Sequence, residues 1–551
     1  MTAGLIARIE TAADRGGAVV FAASDETERV PWSRLLADAR NMAAAMQARG
    51  VGPGDRVAVL GTTSRTLLTA IEATWLAGAA LIVLPLPVRV GSEEEFRAST
   101  RTRISLGEVS LLIADPDLLA VVAPDPDLLA VTFGVLQNES ARMGEAAYER
   151  PHDDRDATAI LQFTSGSTSD PKGVVIPQRC LTDNVDALAE RAPLDADDDV
   201  MVSWLPQYHD MGLVANTSYA MLYGAEYVLA PPQRFVASPG AWLEWISTFG
   251  GTWSLAPNFG FSVAARLLER SATLDLSSCR TIGSGSEPVD AAVMDAFAVA
   301  GARHGLNADA LCAAYGMAEA TVCISFPYRG SGFTTDIVDG SVLEHERRAV
   351  SVATDDPAAR RMARCGPPVR GMELRIVDPE TGTAVADRVL GEIEIRGPSV
   401  VPGYFRRPDA TAAAFRAGGW LRTGDLGYLV DGDVVVGGRL KDVIMVGGRN
   451  VFPDDIERAT QTVSGVRAGN VIAFGVRGGR KGESVVVVAE VKTDDIDRVR
   501  SDISVAVRET VGLRLEDIVL LRPGSLPKTS SGKLRRSICR ARYEASELEV
   551  V

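Results

Sequence analysis

An α/β fold built on parallel sheet, then a β-rich stretch and a small C-terminal α+β unit, is predicted by three observations in the 551-residue sequence. Helix-period and buried-strand patterns alternate through the first part of the chain. Short β runs broken by Gly, Pro and Asp begin near residue 365. The charge balance changes sign after residue 442.

Taken in order, VPWSRLLADARNMAAAMQARGVGPGDRVAVLG predicts helix, turn and strand. Leu35, Leu36, Ala39, Met42 and Met46 recur at helical spacing, GVGPGD stops the helix, and RVAVL is a buried strand. SRTLLTAIEATWLAGAALIVL repeats helix then strand. The heptapeptide DPDLLAV occurs at 115–121 and again at 125–131; it is too brief for a solenoid and reads as a strand–turn–helix duplication. ATAILQF is a strand and TSGSTSDPKG the turn after it. ELRIVDPETG, GEIEIRGPSVVPGYF and GDVVVGGRLKDVIMVGG supply the β-rich region. Beyond it come helix (DDIERATQ), strand (NVIAFGV), strand (SVVVVAEVK), helix (DRVRSDISVAVRETV) and strand (DIVLL). The boundary is expected at Lys441–Asp442, giving units 1–441 and 442–551.

With 46% hydrophobic and 23% charged residues, the composition is that of a soluble globular protein. The net charge of −15 argues against a nucleic-acid binder, which needs a basic footprint. Residues 443–551 carry 18 Lys and Arg against 15 Asp and Glu, a net of +3, which leaves −18 for residues 1–442. Six scattered Cys form no CxxC pair, and four dispersed His make no metal cluster. They read as reduced thiols of a cytoplasmic protein, with Cys312 and Cys323 in the core. MTAGLIARIETAADR does not read as a signal peptide. The most apolar stretch, Ala73–Val88, contains Pro85 and Pro87 and reads as a buried helix followed by a strand.

LQFTSGSTSDPKGVVI (161–176) carries glycines, hydroxyl side chains and one lysine behind an apolar strand. Consecutive backbone N–H groups in such a turn enclose phosphate oxygens, and Lys172 adds a positive charge. The spacing is not that of the common nucleotide-triphosphatase loop, because Pro171 precedes the lysine. A solvated Ser/Gly-rich loop is the alternative reading of this stretch alone.

Six further segments follow: WLPQYHDMGL (204–213), GSGSEP (283–288), YGMAEAT (315–321), TGDLG (423–427), GRLKDVIMVGGRN (438–450) and PKTSSGKLRR (527–536). With the loop, this ordered set resembles the adenylate-forming superfamily of acyl-CoA synthetases, peptide-synthetase adenylation domains and luciferases, across nearly the whole chain. The resemblance implies activation of a carboxylic acid by ATP to acyl-AMP and pyrophosphate. It also implies a large N-terminal adenylate-forming domain and a mobile C-terminal one that rotates about a hinge at Lys441 and Asp442.

The same resemblance implies the site. The catalytic set is Lys533, His209 and Glu319, with Glu319 also the Mg²⁺ ligand. Thr164, Ser165, Gly166, Ser167, Thr168 and Lys172 hold the β/γ-phosphates. Tyr315 stacks on adenine with Ser286 and Glu287 nearby, and Gly285 and Gly316 also bind ATP; Asp425 holds the ribose hydroxyls and Arg439 supports the ribose. Trp204, Asp210, Trp253, Asn258, Phe259 and Gly260, with Phe261, are the candidate acyl-pocket residues. Plainer alternatives stand beside these roles: Tyr315 as core, Glu319 as a solvated helix charge, Asp425 as a turn residue, Lys533 as one more cation of a basic tail, and Trp204, Phe259 and Phe261 as plain core.

Within the superfamily the details resemble fatty-acyl-AMP ligases, which supply acyl groups to carrier proteins of polyketide and peptide synthases. These details are the His-Asp-Met-Gly form of WLPQYHDMGL, Ala318 in YGMAEAT, APNFGF (256–261) and GRNVFPDDIE (448–457). Residues 329–365 lie where that branch carries an insertion. Trp253 and Gly260 depart from the branch pattern, and Trp253 is expected to shorten the pocket. The implied acceptor is the phosphopantetheine thiol of an acyl carrier protein, drawn to Lys533, Arg535, Arg536, Arg540 and Arg542. The alternatives are an acyl-CoA synthetase, an amino-acid-activating enzyme pairing the substrate ammonium with Asp210, and an inactive nucleotide-binding module.

Overall fold

Two largely parallel sheets carry the first part of the chain in the computed structural model, which describes residues 3–23, 26–87, 92–164, 171–271, 274–446, 449–477, 483–529 and 532–551. Among the described residues, one sheet has seven strands in the order Leu311–Ala313, Thr281–Ser284, Trp253–Ala256, Val200–Ser203, Glu226–Leu229, Ala18–Phe21, Glu28–Pro31. The other has six: Leu129–Thr132, Leu111–Ala114, Arg56–Leu60, Ala80–Val83, Thr158–Thr164, Lys172–Pro177. In each, only the last pair is antiparallel. Helix crossovers bury both faces, which is why these strands read as continuous apolar runs.

The expected helix after Pro31 spans Trp32–Ala48, and all five residues that predicted it are buried. The apolar stretch after it resolves into a helix, Arg65–Leu76, and a strand, Ala80–Val83. Among the described residues no helix is long and apolar enough to cross a membrane. A third sheet, with strands Glu373–Val377, Gly391–Arg396, Phe415–Arg416, Trp420–Val430 and Asp433–Arg439, forms the β-rich region. TGDLG lies inside the eleven-residue strand Trp420–Val430, so Asp425 is a strand residue rather than a turn residue. A short turn, Leu440–Asp442, leads to the last unit: helices Pro453–Gln461 and Ile496–Val511 cover a three-stranded sheet of Val466–Arg477, Glu483–Val491 and Leu515–Leu521. Its own apolar core includes Ile444, Ile456, Val487, Ile503 and Leu520. Arg536, Arg540 and Arg542 of the basic tail lie on a helix, Arg536–Glu544, and Lys533 and Arg535 precede it.

The two copies of DPDLLAV fold differently. The first enters the helix Pro116–Val122, and the second forms a turn and the strand Leu129–Thr132. The region is therefore two strand–helix units, but the repeated peptide falls at different phases of them. In the first copy, Arg97 Nε donates to Val121 O at 2.8 Å and Arg101 Nε to Val122 O at 2.8 Å, satisfying carbonyls at the helix end. In the second, the backbone pairs in parallel with Leu111–Ala114. The environment, not the peptide, selects the conformation.

Glu72 is buried within the helix Arg65–Leu76, its Oε2 has no hydrogen-bond partner, and burial pushes its carboxyl up to about 8. A carboxyl raised by folding stabilises fully below its unfolded value and loses that contribution as pH rises through the folded one. Glu72→Gln is therefore expected to be more stable than the parent at pH 8–9, by a few kcal/mol on the order of its shift, with the gap opening between roughly pH 4.5 and 8. Denaturant unfolding across that range checks it. A gap that does not depend on pH would show that the carboxyl is not the cause.

Candidate active site

The expected phosphate loop lies in sequence between two paired strands. Strand Thr158–Thr164 runs antiparallel to Lys172–Pro177, with Thr164 opposite Lys172. Ser165, Gly166, Ser167 and Thr168 lie outside the described residues. The Lys172 ammonium stands 4.9 Å from the centre of the Tyr404 ring. Tyr404 is held there by backbone pairing of its segment with the hairpin: Phe405 N donates to Gly173 O at 2.8 Å and Val175 N to Gly403 O at 3.1 Å. The Tyr404 hydroxyl in turn donates to Glu319 Oε1 at 2.8 Å. Tyr404 lies outside the motifs that predicted the site; its one signal in the sequence is the GYF that ends the second β-rich segment.

Glu319 sits in a single helical turn, Ala318–Ala320, that bulges from the pair Tyr315–Gly316 and Cys323–Ser325. Gly316 is obligatory here, since a Cβ would lie 1.7 Å from Val322 O. Burial raises the Glu319 pKa; the Tyr404 hydroxyl and Arg439 oppose this, and Asp210 adds to it.

Tyr315, Asp425 and Arg439 form one unit. The buried Tyr315 hydroxyl donates to Asp425 Oδ2 at 2.8 Å, and Arg439 Nε lies 3.1 Å from Asp425 Oδ1. Asp425 and Arg439 are cross-strand neighbours, so the sheet itself sets this pair. Burial lifts the Asp425 carboxyl above its ordinary value against the pull of Arg439, while Asp425 raises the Arg439 guanidinium.

WLPQYHDMGL leads from the strand Val200–Ser203 into a short helical turn, Asp210–Gly212, that continues as a π-helical stretch, Leu213–Ser218. Such stretches gather at functional sites. His209 Nδ1 lies 2.7 Å from Asp210 Oδ1. Gly212 admits no side chain, because a Cβ would meet Pro206 O at 2.2 Å. Burial works against the Asp210 carboxylate, yet the His209 ring and the Lys533 ammonium leave its pKa below the ordinary value.

Lys533 comes from the far end of the sequence to this place. Thr529 N donates to Lys533 O at 2.7 Å and Lys533 N to Thr529 Oγ1 at 3.0 Å, which fixes the backbone of Lys533. Burial pushes its ammonium below the usual lysine range, while Asp210, Glu287 and Asp425 pull it back up. Glu287 is raised by burial and accepts from Phe259 N at 3.0 Å. Beside it, Ser286 takes φ +71° and Gly285 packs against the Ala314 carbonyl, 3.2 Å from where a Cβ would stand.

The acyl-pocket candidates fall into two groups on opposite faces of the seven-stranded sheet. Trp253 is fully buried; its Nε1 donates to Asn216 Oδ1 at 3.1 Å, and Asn216 Nδ2 to Met211 O at 2.7 Å, next to Asp210. Trp204, Phe259 and Gly260 belong to the other face. Trp204 stacks on Phe235 with ring centres 3.7 Å apart and meets Phe259 edge-on at 6.1 Å. A Cβ on Gly260 would lie 3.3 Å from Ala256 Cβ and 3.4 Å from the Trp204 ring. Asn258 accepts from Asp290 N at 3.1 Å. Period-two alternation in the strand Trp253–Ala256 is the cause: Trp253 and Ala256 point to opposite sides.

Ion pairs link the C-terminal unit internally and to the rest of the chain. Arg536 Nη1 lies 2.7 Å from Asp442, and Arg536 Nη2 lies 2.8 Å from Glu457 and 3.7 Å from Asp454. Arg540 pairs with Glu544 at 2.9 Å, and Arg542 lies 4.0 Å from Glu95. Arg360 stands 2.7 Å from Asp455 and Arg449 2.6 Å from Glu344. Arg360 and Glu344 both belong to the 329–365 stretch, which folds as the strands Thr335–Asp339 and Ala359–Ala363 with the helix Gly340–Glu346.

Comparison with known proteins gives this arrangement a family. Residues 9–405 match the AMP-binding enzyme family. The chain is 35% identical over 559 residues to the 4-hydroxyphenylalkanoate adenylyltransferase of Mycobacterium marinum, covering 94% of this chain and 86% of that protein. It is 36% identical over 419 residues to the medium-chain-fatty-acid–[acyl-carrier-protein] ligase JamA of Moorena producens, covering 73% of this chain and 70% of JamA. A solved structure from work on the fatty acyl-adenylate ligases of E. coli and L. pneumophila superposes with a TM-score of 0.90 at 30% identity, covering 99% of this chain and 98% of the other. The family match over residues 9–405, on a fold shared over 99% of the chain with that ligase structure, makes this protein a member of the AMP-binding enzyme family: an adenylate-forming, ATP-using acid–AMP ligase close to the fatty acyl-AMP ligases.

Proposed function

We propose that the enzyme activates an apolar, fatty-type carboxylic acid and passes the acyl group to the phosphopantetheine thiol of a carrier protein. The observation that carries the first half is the seat of Lys533 among Asp210, Glu287 and Asp425, beside the Tyr315–Asp425–Arg439 unit. In the first step a carboxylate oxygen of the acid attacks the α-phosphorus of ATP. The acyl–O–P bond forms, the bond to the β-phosphate breaks, and pyrophosphate leaves.

In this reading Lys533 bridges the incoming carboxylate and the α-phosphate, offsetting charge that gathers as they approach. Asp425 offers two acceptors to the ribose hydroxyls, and Arg439 steadies it. Tyr315 packs on adenine while its hydroxyl orients Asp425. Lys172 and the loop that ends at it hold the β- and γ-phosphates, and Tyr404 fixes Lys172 and Glu319 relative to each other. His209 orients Asp210 at the acid's entrance.

A divalent cation suits Glu319. Its carboxylate is hard and half-buried, Tyr404 engages only Oε1, and the Asp210 carboxylate shares its field. Bound Mg²⁺ would neutralise phosphate charge there.

In the second step the carrier thiol loses its proton to solvent and its sulfur attacks the acyl carbonyl; the C–S bond forms, the carbonyl–phosphate oxygen bond breaks, and AMP leaves with that oxygen. No thiol of this chain is placed to intervene: all six cysteines are buried and free. Buried free thiols also suit the cytoplasm. The carrier reading rests chiefly on the resemblance to JamA, whose name states that acceptor. The basic face expected to dock the carrier is smaller than the sequence implied, because Arg536 is occupied internally and Arg540 pairs with Glu544. Units 1–441 and 442–551, hinged at Lys441 and Asp442, would rotate between the two steps.

The test is acid-dependent ATP–pyrophosphate exchange across fatty, aryl and amino acids, followed by mass spectrometry with either CoA or a holo-carrier. Fatty acids should support exchange, and carrier acylation should exceed acyl-CoA formation. Trp253→Ala should move the optimum to longer chains, each added buried methylene being worth about 0.8 kcal/mol. Efficient acyl-CoA formation would replace the acceptor; amino-acid dependence lost on Asp210→Ala would replace the acid.

A further inference from the structure

Thr321 ends the YGMAEAT motif in a conformation that its residue type disfavours. Its backbone sits at φ +70°, ψ −58°, and Val322 N donates to Ala320 O at 2.9 Å. These values describe a γ-turn of the rare, positive-φ form. A β-branched residue there is a genuine outlier, and such outliers gather where a site needs them. Glycine would adopt the same φ freely. What threonine adds is a tether: its Oγ1 donates to Ser399 O at 2.8 Å, and its side chain is fully buried.

The tether meets Glu319 from the other side. Val401 N donates to Glu319 O at 3.0 Å, and the Tyr404 hydroxyl reaches the Glu319 carboxylate. One segment, Ser399–Tyr404, therefore grips the backbone of Glu319, its side chain and the turn just after it. The γ-turn also returns the chain so that Gly316 pairs with Cys323 and Tyr315 with Ser325. The helical turn carrying Glu319 is thus pinned at both ends. We infer that Thr321 is a positioning residue: its hydroxyl tether to Ser399 holds the strained turn that aims the Glu319 carboxylate at the cation bound with the nucleotide. This rests on the role of Glu319 proposed above.

The test is calorimetric titration of α,β-methylene-ATP with Mg²⁺ present or chelated, into the full-length parent, Thr321→Ser, Thr321→Val, Thr321→Gly and Glu319→Gln. Thr321→Ser keeps the hydroxyl and should bind like the parent. Thr321→Val and Thr321→Gly should each weaken Mg²⁺-dependent binding by about fivefold, the net contribution of one hydrogen bond. Binding without Mg²⁺ should not change. Thr321→Gly, with its turn relaxed, should melt no lower than Thr321→Val, separating the effect from loss of stability. Should Thr321→Gly fail to fold, the Ser and Val pair decides. Parent-like Mg²⁺-dependent binding in Thr321→Val, or equal loss with and without Mg²⁺, would overturn the inference while a loss in Glu319→Gln kept the role of Glu319. A neutral Glu319→Gln would overturn both.

Discussion

Lys533→Ala is expected to lower acyl-adenylate formation by more than about 100-fold, the scale for removing one preorganised electrostatic group, while ATP still binds. The ammonium is the cation that the chain brings from its far end to Asp210 and Glu287. Before reaction the acid's carboxylate and the α-phosphate repel each other, and that repulsion grows as they close. A cation between them acts mainly on the approach and less on ground-state binding, so the loss should fall on the rate rather than on the apparent affinity for ATP. Single-turnover formation of acyl-AMP and equilibrium nucleotide binding separate the two. Because burial holds the Lys533 pKa low, the parent's rate should decline with rising pH below the usual lysine range as the ammonium loses its proton. Exchange within a few-fold of the parent would remove Lys533 from the chemistry.

Arg536→Ala, three residues on, should act on stability instead. Its guanidinium serves Asp442, Asp454 and Glu457 together, at 2.7 Å, 3.7 Å and 2.8 Å. Burial already raises the carboxyls of Asp454 and Glu457, and Arg536 opposes that rise. Without the cation the folded unit must bury negative charge or protonate it. Breaking a fully buried pair costs about 3–5 kcal/mol; the Arg536 side chain keeps 21% of its exposure, so about 2–3 kcal/mol is expected. The sign with pH follows from the raised carboxyls. Once protonated they no longer need a cation, so the defect should shrink as pH falls through their raised values and be largest above them. Denaturant unfolding at acid and alkaline pH checks this, and a pH-independent defect would point to lost packing of the arginine stem instead.

The two mutations contrast residues that look alike in PKTSSGKLRR. Spacing along this run marks Lys533 and Arg536 equally as members of a basic tail. Whether a cation faces carboxylates of another part of the chain or is consumed by its own unit depends on which carboxylates the fold brings near it. Those carboxylates, Asp210 and Glu287 in one case and Asp442, Asp454 and Glu457 in the other, are distant in sequence from one or both cations. Tyr404 illustrates the same limit. Nothing in GYF alone ties it to Lys172 or Glu319; the strand pairing of residues 403–405 with the hairpin does.

What the sequence determined by itself was local or periodic. Helical spacing of Leu35, Leu36, Ala39, Met42 and Met46 gave a helix, apolar runs gave parallel strands, and the ordered motifs gave the family. These signals are carried by neighbours along the chain, so no tertiary contact is needed to read them. What only the tertiary structure decided was how near-equal alternatives resolve. DPDLLAV is helix at 115–121 and turn plus strand at 125–131. Its intrinsic preference is too small to outweigh a capping arginine in one place and an open strand edge in the other. Trp253 and Trp204 read alike as aromatic pocket residues, yet they lie on opposite faces of the sheet: Trp253 is aimed by its place in a strand, and Trp204, just past the end of another strand, stacks on Phe235. Thr321 stands in a backbone conformation its own chemistry opposes, and only the hold of Ser399 and the paired strands around it makes that conformation the native one.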